Sequence, residues 1–225
     1  MLDFLEEMKA RHSVRNYTDQ PLTQSQIDEL NAFIDTINKN TGLRFSLHVN
    51  EDIFSNWILG YGFIKHCSNH IRLAGTPSPD LEEKVGYYGE MLVLKAQQLG
   101  LNTCWVGGTY RKKDVKNDPS IRLVCVLALG NGKTQGTPSK SKPMNAYYQG
   151  ENVPDWFIQG MEAVLLSPSA VNQKKWMFVY HQDGTVSASS DGKHFNDVDL
   201  GIAKLHFELG SHKKIWSYPY DFILG

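Results

Sequence analysis

The sequence predicts a mixed α+β protein, and three observations carry that expectation. Amphipathic segments with helical spacing and recognisable ends recur along the 225 residues. Between them stand short runs rich in aromatic and β-branched residues, and Asp183-Gly184 is a two-residue hairpin signal. The order helix, strand, helix of the first half returns in weaker form in the second, at low residue identity.

The elements follow in chain order. Thr23-Gln24-Ser25-Gln26 has the pattern of a capping box, and Ile27, Leu30, Ile34 and Ile37 repeat at helical spacing, so a helix should stop near Asn40-Thr41-Gly42. Residues 45–49 and 70–74 read as short strands. The aromatic segment between them, with Trp57, Tyr61 and Phe63, reads as either a helix or a lid. After the loop Thr76-Pro77-Ser78-Pro79-Asp80, residues 86–98 are helix formers ending at Gly100, a left-handed cap. Asn102-Thr103-Cys104-Trp105-Val106 leads to Gly107-Gly108, and residues 121–129, apolar almost throughout, fit a strand covered on both faces.

Residues 130–142, with Gly, Thr, Ser and Lys, form the clearest linker-like stretch and divide the chain into 1–143 and 144–225. Pro154 is a permissible first-turn residue, and Phe157, Met161, Val164 and Leu165 follow at helical spacing until Pro168 breaks the pattern. Residues 167–172 therefore fall on a helix-to-loop corner. Residues 176–180 read as a strand that turns through Asp183-Gly184 into 186–188. A last helix is expected over 198–209, with Asp197 and Asp199 favouring its start and Gly210 marking its end.

Composition narrows the function classes. A hydrophobic content of 41% with 21% charged residues is that of a folded protein, and a formal charge of −1 offers no general attraction for nucleic acid or an anionic membrane. Cys67, Cys104 and Cys125 form an odd set without CxxC, which fits a reducing compartment. Residues 1–7 carry acidic residues where a signal peptide needs positive charge, and no segment approaches membrane-spanning length. A cytoplasmic protein acting on small molecules, with neither nucleic acid nor membrane as partner, is the expectation. His66-Cys67 and His70 lack a signalled fourth metal ligand. Walker A, GxGxxG and GxSxG patterns are absent.

Two pieces of sequence remain to be explained. In Arg11-His12-Ser13-Val14-Arg15, guanidinium and hydroxyl groups suit a phosphate, although an arm pairing with surface carboxylates has the same composition. Ser167-Pro168-Ser169-Ala170-Val171-Asn172 is loop chemistry in its own right. In context, the string from Arg11 through Asn16-Tyr17-Thr18-Asp19-Gln20-Pro21-Leu22-Thr23, the second piece, and Cys104-Trp105-Val106-Gly107-Gly108 together resemble the FMN-dependent nitroreductase family.

The resemblance implies a nitroreductase-like fold, a mainly antiparallel sheet flanked by helices. It assigns Arg11, His12 and Ser13 to the FMN phosphate and ribityl chain, with Arg15 supporting the fold. Pro168, Ser169, Ala170 and Asn172 are assigned to the isoalloxazine edge, and the backbone of Val106, Gly107 and Gly108 to its reactive edge. Lys140 and Lys142 stand where members often carry a basic pair for the phosphate, while solvated lysines are the alternative. No acid or base side chain is required, because the chemistry is flavin-centred. NADH or NADPH would serve as co-substrate, with a nitroaromatic, quinone or similar small molecule as electron acceptor.

Two departures from the family pattern matter. In ordinary members the two pieces lie close together in sequence, and each flavin is shared by two subunits. Here they are far apart on one chain, so a monomer imitating a dimer, its unequal halves 1–143 and 144–225 packed as one unit around one FMN, is the implied architecture. The family's Gln-Pro pair is also replaced by Lys174 and Lys175. Lys174 either turns to solvent or places positive charge near the flavin, and a flavin-binding module with little turnover is the rival reading.

Overall fold

Thr23 sets the first long helix through a reciprocal cap. Its hydroxyl accepts the Gln26 N–H at 3.2 Å, and the Gln26 side chain accepts the Thr23 N–H at 2.9 Å. That helix, α2 (Gln24–Thr41), buries Leu30, Ile34 and Ile37 and ends at left-handed Gly42. A short helix precedes it, α1 (Leu5–Ala10), which the sequence reading did not anticipate. The computed structural model describes residues 4–54, 64–111, 120–191, 193 and 195–218. Trp57, Tyr61 and Phe63 lie outside them.

The first sheet contains β1 (Ser46–His48), β2 (Asn69–Gly75), β3 (Asn102–Val106) and β4 (Arg122–Gly130) in the order β1-β2-β4-β3, antiparallel throughout. Its inner strand β4 has the two-sided burial that its apolar run predicts. Cys125, Leu127 and Leu129 face the main core under the helices, while Val126 and Ala128 join a second cluster with Val14, Tyr17 and Phe54. A second sheet holds β5 (Tyr148–Gln149), β6 (Trp176–Tyr180) and β7 (Val186–Ser190). The expected hairpin pairs β6 with β7, and β5 adds an unforeseen parallel strand. At two residues, β5 is too short to leave a periodic signal.

Among the described residues three more α-helices follow: α3 (Leu81–Gln98), α4 (Asp155–Leu166) and α5 (Asn196–Ser211). Their ends correct two expectations. Gly86 does not open α3 but lies inside it, because α5 crosses there: a Cβ on Gly86 would strike the Val198 carbonyl, and one on Gly201 would strike the Glu83 carbonyl. Gly210 likewise lies within α5, where a Cβ would meet the Gln159 carbonyl oxygen of α4 at 2.8 Å. The left-handed stop is His212, at φ 53°. In both cases glycine serves close approach of helices rather than chain reversal. No helix among the described residues is long and apolar enough to cross a membrane.

Candidate functional site

The N-terminal segment is laid beside β3 by backbone pairing. The Val14 N–H donates to the Thr103 carbonyl at 3.0 Å, so Ser13 and Arg15 stand next to a strand that ends at Val106 and turns into Gly107-Gly108. Far along the chain, α4 ends at Leu166 and brings Pro168 to Val171 to the same place. Between them lies a cavity of about 440 Å³, a volume in the range of small-molecule sites. Its walls include Ser13, Arg15, Val106, Gly107, Gly108, Pro168, Ser169 and Ala170, closed by Trp105, Phe195 and the first turns of α5 at Val198, Asp199 and Ile202.

Two pieces of sequence separated by some 150 positions thus bound one cavity. Seven residues singled out from the sequence line it: Ser13, Val106, Gly107, Gly108, Pro168, Ser169 and Ala170. A Cβ placed on Gly108 meets nothing within 4 Å, so the backbone there faces open space. Gly107 is the opposite case, with Phe195 ring atoms at 2.7–3.2 Å from such a Cβ. A side chain at 107 would displace the Phe195 ring from this turn.

Arg11, His12, Lys140, Lys142 and Asn172 stand away from that wall. Arg11 is buried: its Nε lies 3.5 Å from the Glu90 carboxylate and its Nη2 donates to the Leu166 carbonyl at 3.5 Å. Glu90 also accepts from Trp105 Nε1 at 2.9 Å and contacts His206 Nε2 at 3.1 Å, joining α3, β3 and α5. Arg11 therefore faces an internal carboxylate, while Arg15, expected to support the fold, lines the cavity. His12 is half-buried, and burial, then the Arg11 charge, lowers its pKa. Lys140 and Lys142 are exposed, and the Lys140 carbonyl accepts Asn172 Nδ2 at 2.8 Å.

Lys174 does not turn to solvent. Its ammonium is buried and donates to the Leu165 carbonyl at 2.5 Å and to Ser141 Oγ at 2.7 Å, closing the carboxyl end of α4. Burial first, and the Arg11 charge second, bring its pKa down to about 8. The loop it anchors is strained. Val171, Asn172 and Lys174 adopt φ of 43°, 57° and 48°, and Val171, which also lines the cavity, is 83% exposed. A β-branched residue in the left-handed region is rare and persists only where its surroundings over-determine it. Here the clamps are Lys174, the Asn172 amide, and Asp199.

Asp199 was legible only as a charge near a helix start. In the structure both its oxygens lie within bonding distance of the Ala170 N–H, at 3.0 and 2.9 Å. Burial pushes its carboxyl up to about 7, partly offset by that N–H. Phe195, at φ 66°, is a second wall residue without a sequence signal, because its role depends on a partner 88 positions away.

A family model described as "Putative TM nitroreductase" matches residues 3–211. Among solved structures, a putative nitroreductase from Thermotoga maritima is similar at 21% identity and a TM-score of 0.69, covering 93% of this chain and 83% of its own. A putative nitroreductase in complex with FMN from Desulfovibrio desulfuricans is similar at 16% identity and a TM-score of 0.53, over 68% of this chain and 99% of its own. A putative NADH dehydrogenase/NAD(P)H nitroreductase from Parabacteroides distasonis is similar at 18% identity and a TM-score of 0.51, with the same two coverages. At these identities the structural likenesses establish the fold. No curated protein matches the chain.

Proposed function

This chain belongs to that nitroreductase family, and on that premise we propose that it is an FMN-dependent NAD(P)H oxidoreductase acting on nitroaromatic, quinone or similar electron-poor small molecules. The observation that carries the reading is the cavity bounded by Ser13 on one side and Pro168-Ser169-Ala170 on the other, with Gly107-Gly108 between them. The fit to a flavin rests on that glycine turn, which leaves room at Gly108 that any side chain would fill. The apolar surfaces of Trp105, Val106, Phe195 and Ile202 suit the faces of a planar ring.

FMN, when bound, supplies hydride acceptance from NAD(P)H and hydride donation to the acceptor. The chain's own contribution is placement. Ser13 offers a hydroxyl and Arg15 a positive charge to the polar part of the ligand, Phe195 and Trp105 exclude water from the ring, and the strained Ser169–Asn172 loop is held as a fixed edge. NAD(P)H and the acceptor would use the same opening in turn, which is a ping-pong sequence.

The halves 1–143 and 144–225 are read as a dimer built into one chain. Supporting this is the reciprocity at the helix crossing. Gly86 meets the carbonyl three residues before Gly201 and the Ile202 N–H one residue after it. Gly201 meets the carbonyl three residues before Gly86 and the Tyr87 N–H one residue after it. Such mutual exchange is the signature of an isologous, two-fold contact. A cytoplasmic location is supported by three free, buried cysteines.

The purified protein should be yellow or become so with FMN, and should bleach when NADH or NADPH is added without oxygen. A yellow protein that neither nucleotide bleaches leaves only the binding-module reading; one that takes up no FMN removes both. A crystal structure with FMN should place Ser13 and Ala170 of one chain on the same flavin. Two flavins each shared between chains would refute the built-in dimer and leave the cofactor assignment standing.

A further inference from the structure

Asp199 is a wall residue of the cavity with unusual surroundings for a carboxylate. It is 4% exposed, and among the described residues its carboxylate has one hydrogen-bonding partner, the Ala170 N–H, and no ion pair. One N–H cannot satisfy two carboxylate oxygens, each with two lone pairs. The groups facing it do not compensate. Buried Cys125 approaches from β4, its thiol pushed up by burial and next by the Asp199 charge. On α3, Glu82, whose charge also acts on Cys125, is engaged by Arg122, and Glu83, whose carbonyl lies beside Gly201, is engaged by Lys204 and Tyr218. On its own helix Asp197 accepts the Ser190 hydroxyl at 2.5 Å. Arg15 lines the same cavity. A charged carboxylate in this position is poorly supported, whereas a neutral one needs one acceptor for its proton.

We infer that Asp199 is a ligand-binding residue that works in its neutral form, one oxygen accepting the Ala170 N–H and the other presenting an O–H to a carbonyl-type acceptor on the cavity's occupant. The inference rests on the proposed function only for the identity of that occupant. The acceptor is either a ring carbonyl of the flavin or the oxygen of a quinone or nitro substrate. A neutral carboxyl serves both with the same chemistry. Filling the cavity removes the last access of water, which favours the protonated form further and makes binding take up a proton.

The test is a pH series from 5.5 to 9 of FMN affinity, read from quenching of flavin fluorescence, on the native protein, Asp199→Asn and Asp199→Ala. A second arm measures binding of a simple quinone to the same proteins, with or without FMN. Native affinity should be flat at low pH and fall about tenfold per unit above about pH 7, since each ligand then has to draw one proton. Asp199→Asn, which keeps an acceptor for Ala170 and a donor for the ligand, should hold the low-pH affinity throughout; Asp199→Ala should be weak at every pH. A fall confined to the FMN arm names the flavin as acceptor, and one confined to the quinone arm names the substrate. A flat native profile in both arms, or an identical fall in Asp199→Asn, overturns the inference. If FMN binds to none of the proteins, the flavin reading fails separately. The quinone arm and a ¹³C NMR titration of the Asp199 carboxyl in the free protein then decide, an unshifted titration counting against it.

Discussion

Adding one methyl group at the helix crossing should force α3 and α5 apart and destabilise the fold. In Gly86→Ala the new Cβ would overlap the Val198 carbonyl oxygen, and in Gly201→Ala that of Glu83. Neither obstacle is a side chain that can rotate away. Alanine returns ~1 kcal/mol of helix propensity per site, so the sign depends on the crossing. The Cβ–oxygen distances of 1.9 and 2.0 Å must open to an ordinary contact of 3.4 Å, so α3 and α5 must separate by about 1.5 Å, when a gap of about 0.5–1 Å already forfeits a quarter to a half of each dispersion contact across it. Val85, Tyr87, Ile202 and Leu205 are buried in the same helices, so the loss should exceed the ~1–3 kcal/mol typical of overpacking. We expect a net destabilisation of ~3 kcal/mol for each variant, read as a lower urea midpoint at unchanged slope. Because one separation accommodates both methyl groups, the double variant should lose clearly less than the sum of the two. Stability within ~0.5 kcal/mol of the native protein for either variant, or strict additivity, would refute the crossing geometry.

Other consequences are equally direct. Gly108→Val, whose side chain enters open cavity space, should leave the melting temperature nearly unchanged while FMN affinity falls at least tenfold; paired thermal melts and flavin titrations check both halves of this. Asp199 holds its proton up to about pH 7 in the fold against an ordinary value of 3.8. The native state therefore binds the extra proton between those values, and stability should decline as pH rises through that window, by up to ~1.4 kcal/mol per pH unit. Asp199→Asn should flatten that decline in denaturation curves taken at pH 5, 6 and 7. Lys174→Met removes the donor to the Leu165 carbonyl and Ser141, and leaving these acceptors unpaired should cost ~1–3 kcal/mol. Lys174 is depressed in the fold to about 8, so it costs stability below that pH and the cost fades as pH rises toward 10.5. The difference between Lys174→Met and the native protein should accordingly widen from pH 8 to pH 10 in chemical denaturation.

Much of the chain was readable without coordinates because its signals are local. The Thr23 cap, the left-handed glycines at 42 and 100, the two-sided run of β4 and the 183–184 hairpin each depend on a few neighbouring residues. The motif pieces around Ser13, Gly107 and Ser169 could be singled out for the same reason. Signals failed where a residue's meaning comes from across the fold. Gly86 and Gly210 have the composition of helix ends and serve instead as crossing points. Arg11 and Lys174 have the charge of phosphate ligands, yet each is turned inward by carbonyls that end α4 and, for Arg11, by Glu90.

By itself, then, the sequence determined the order and kind of most elements and the chemical character of the two motif pieces, since short-range geometry and side-chain chemistry travel with the chain. Only the tertiary structure decided that those pieces bound one cavity, that Arg15 rather than Arg11 lines it, and that Asp199 and Phe195 complete its wall. The reason is physical. Which cation meets solvent and which meets a buried carboxylate is set by how α3, α4 and α5 pack, and that packing couples residues more than a hundred positions apart.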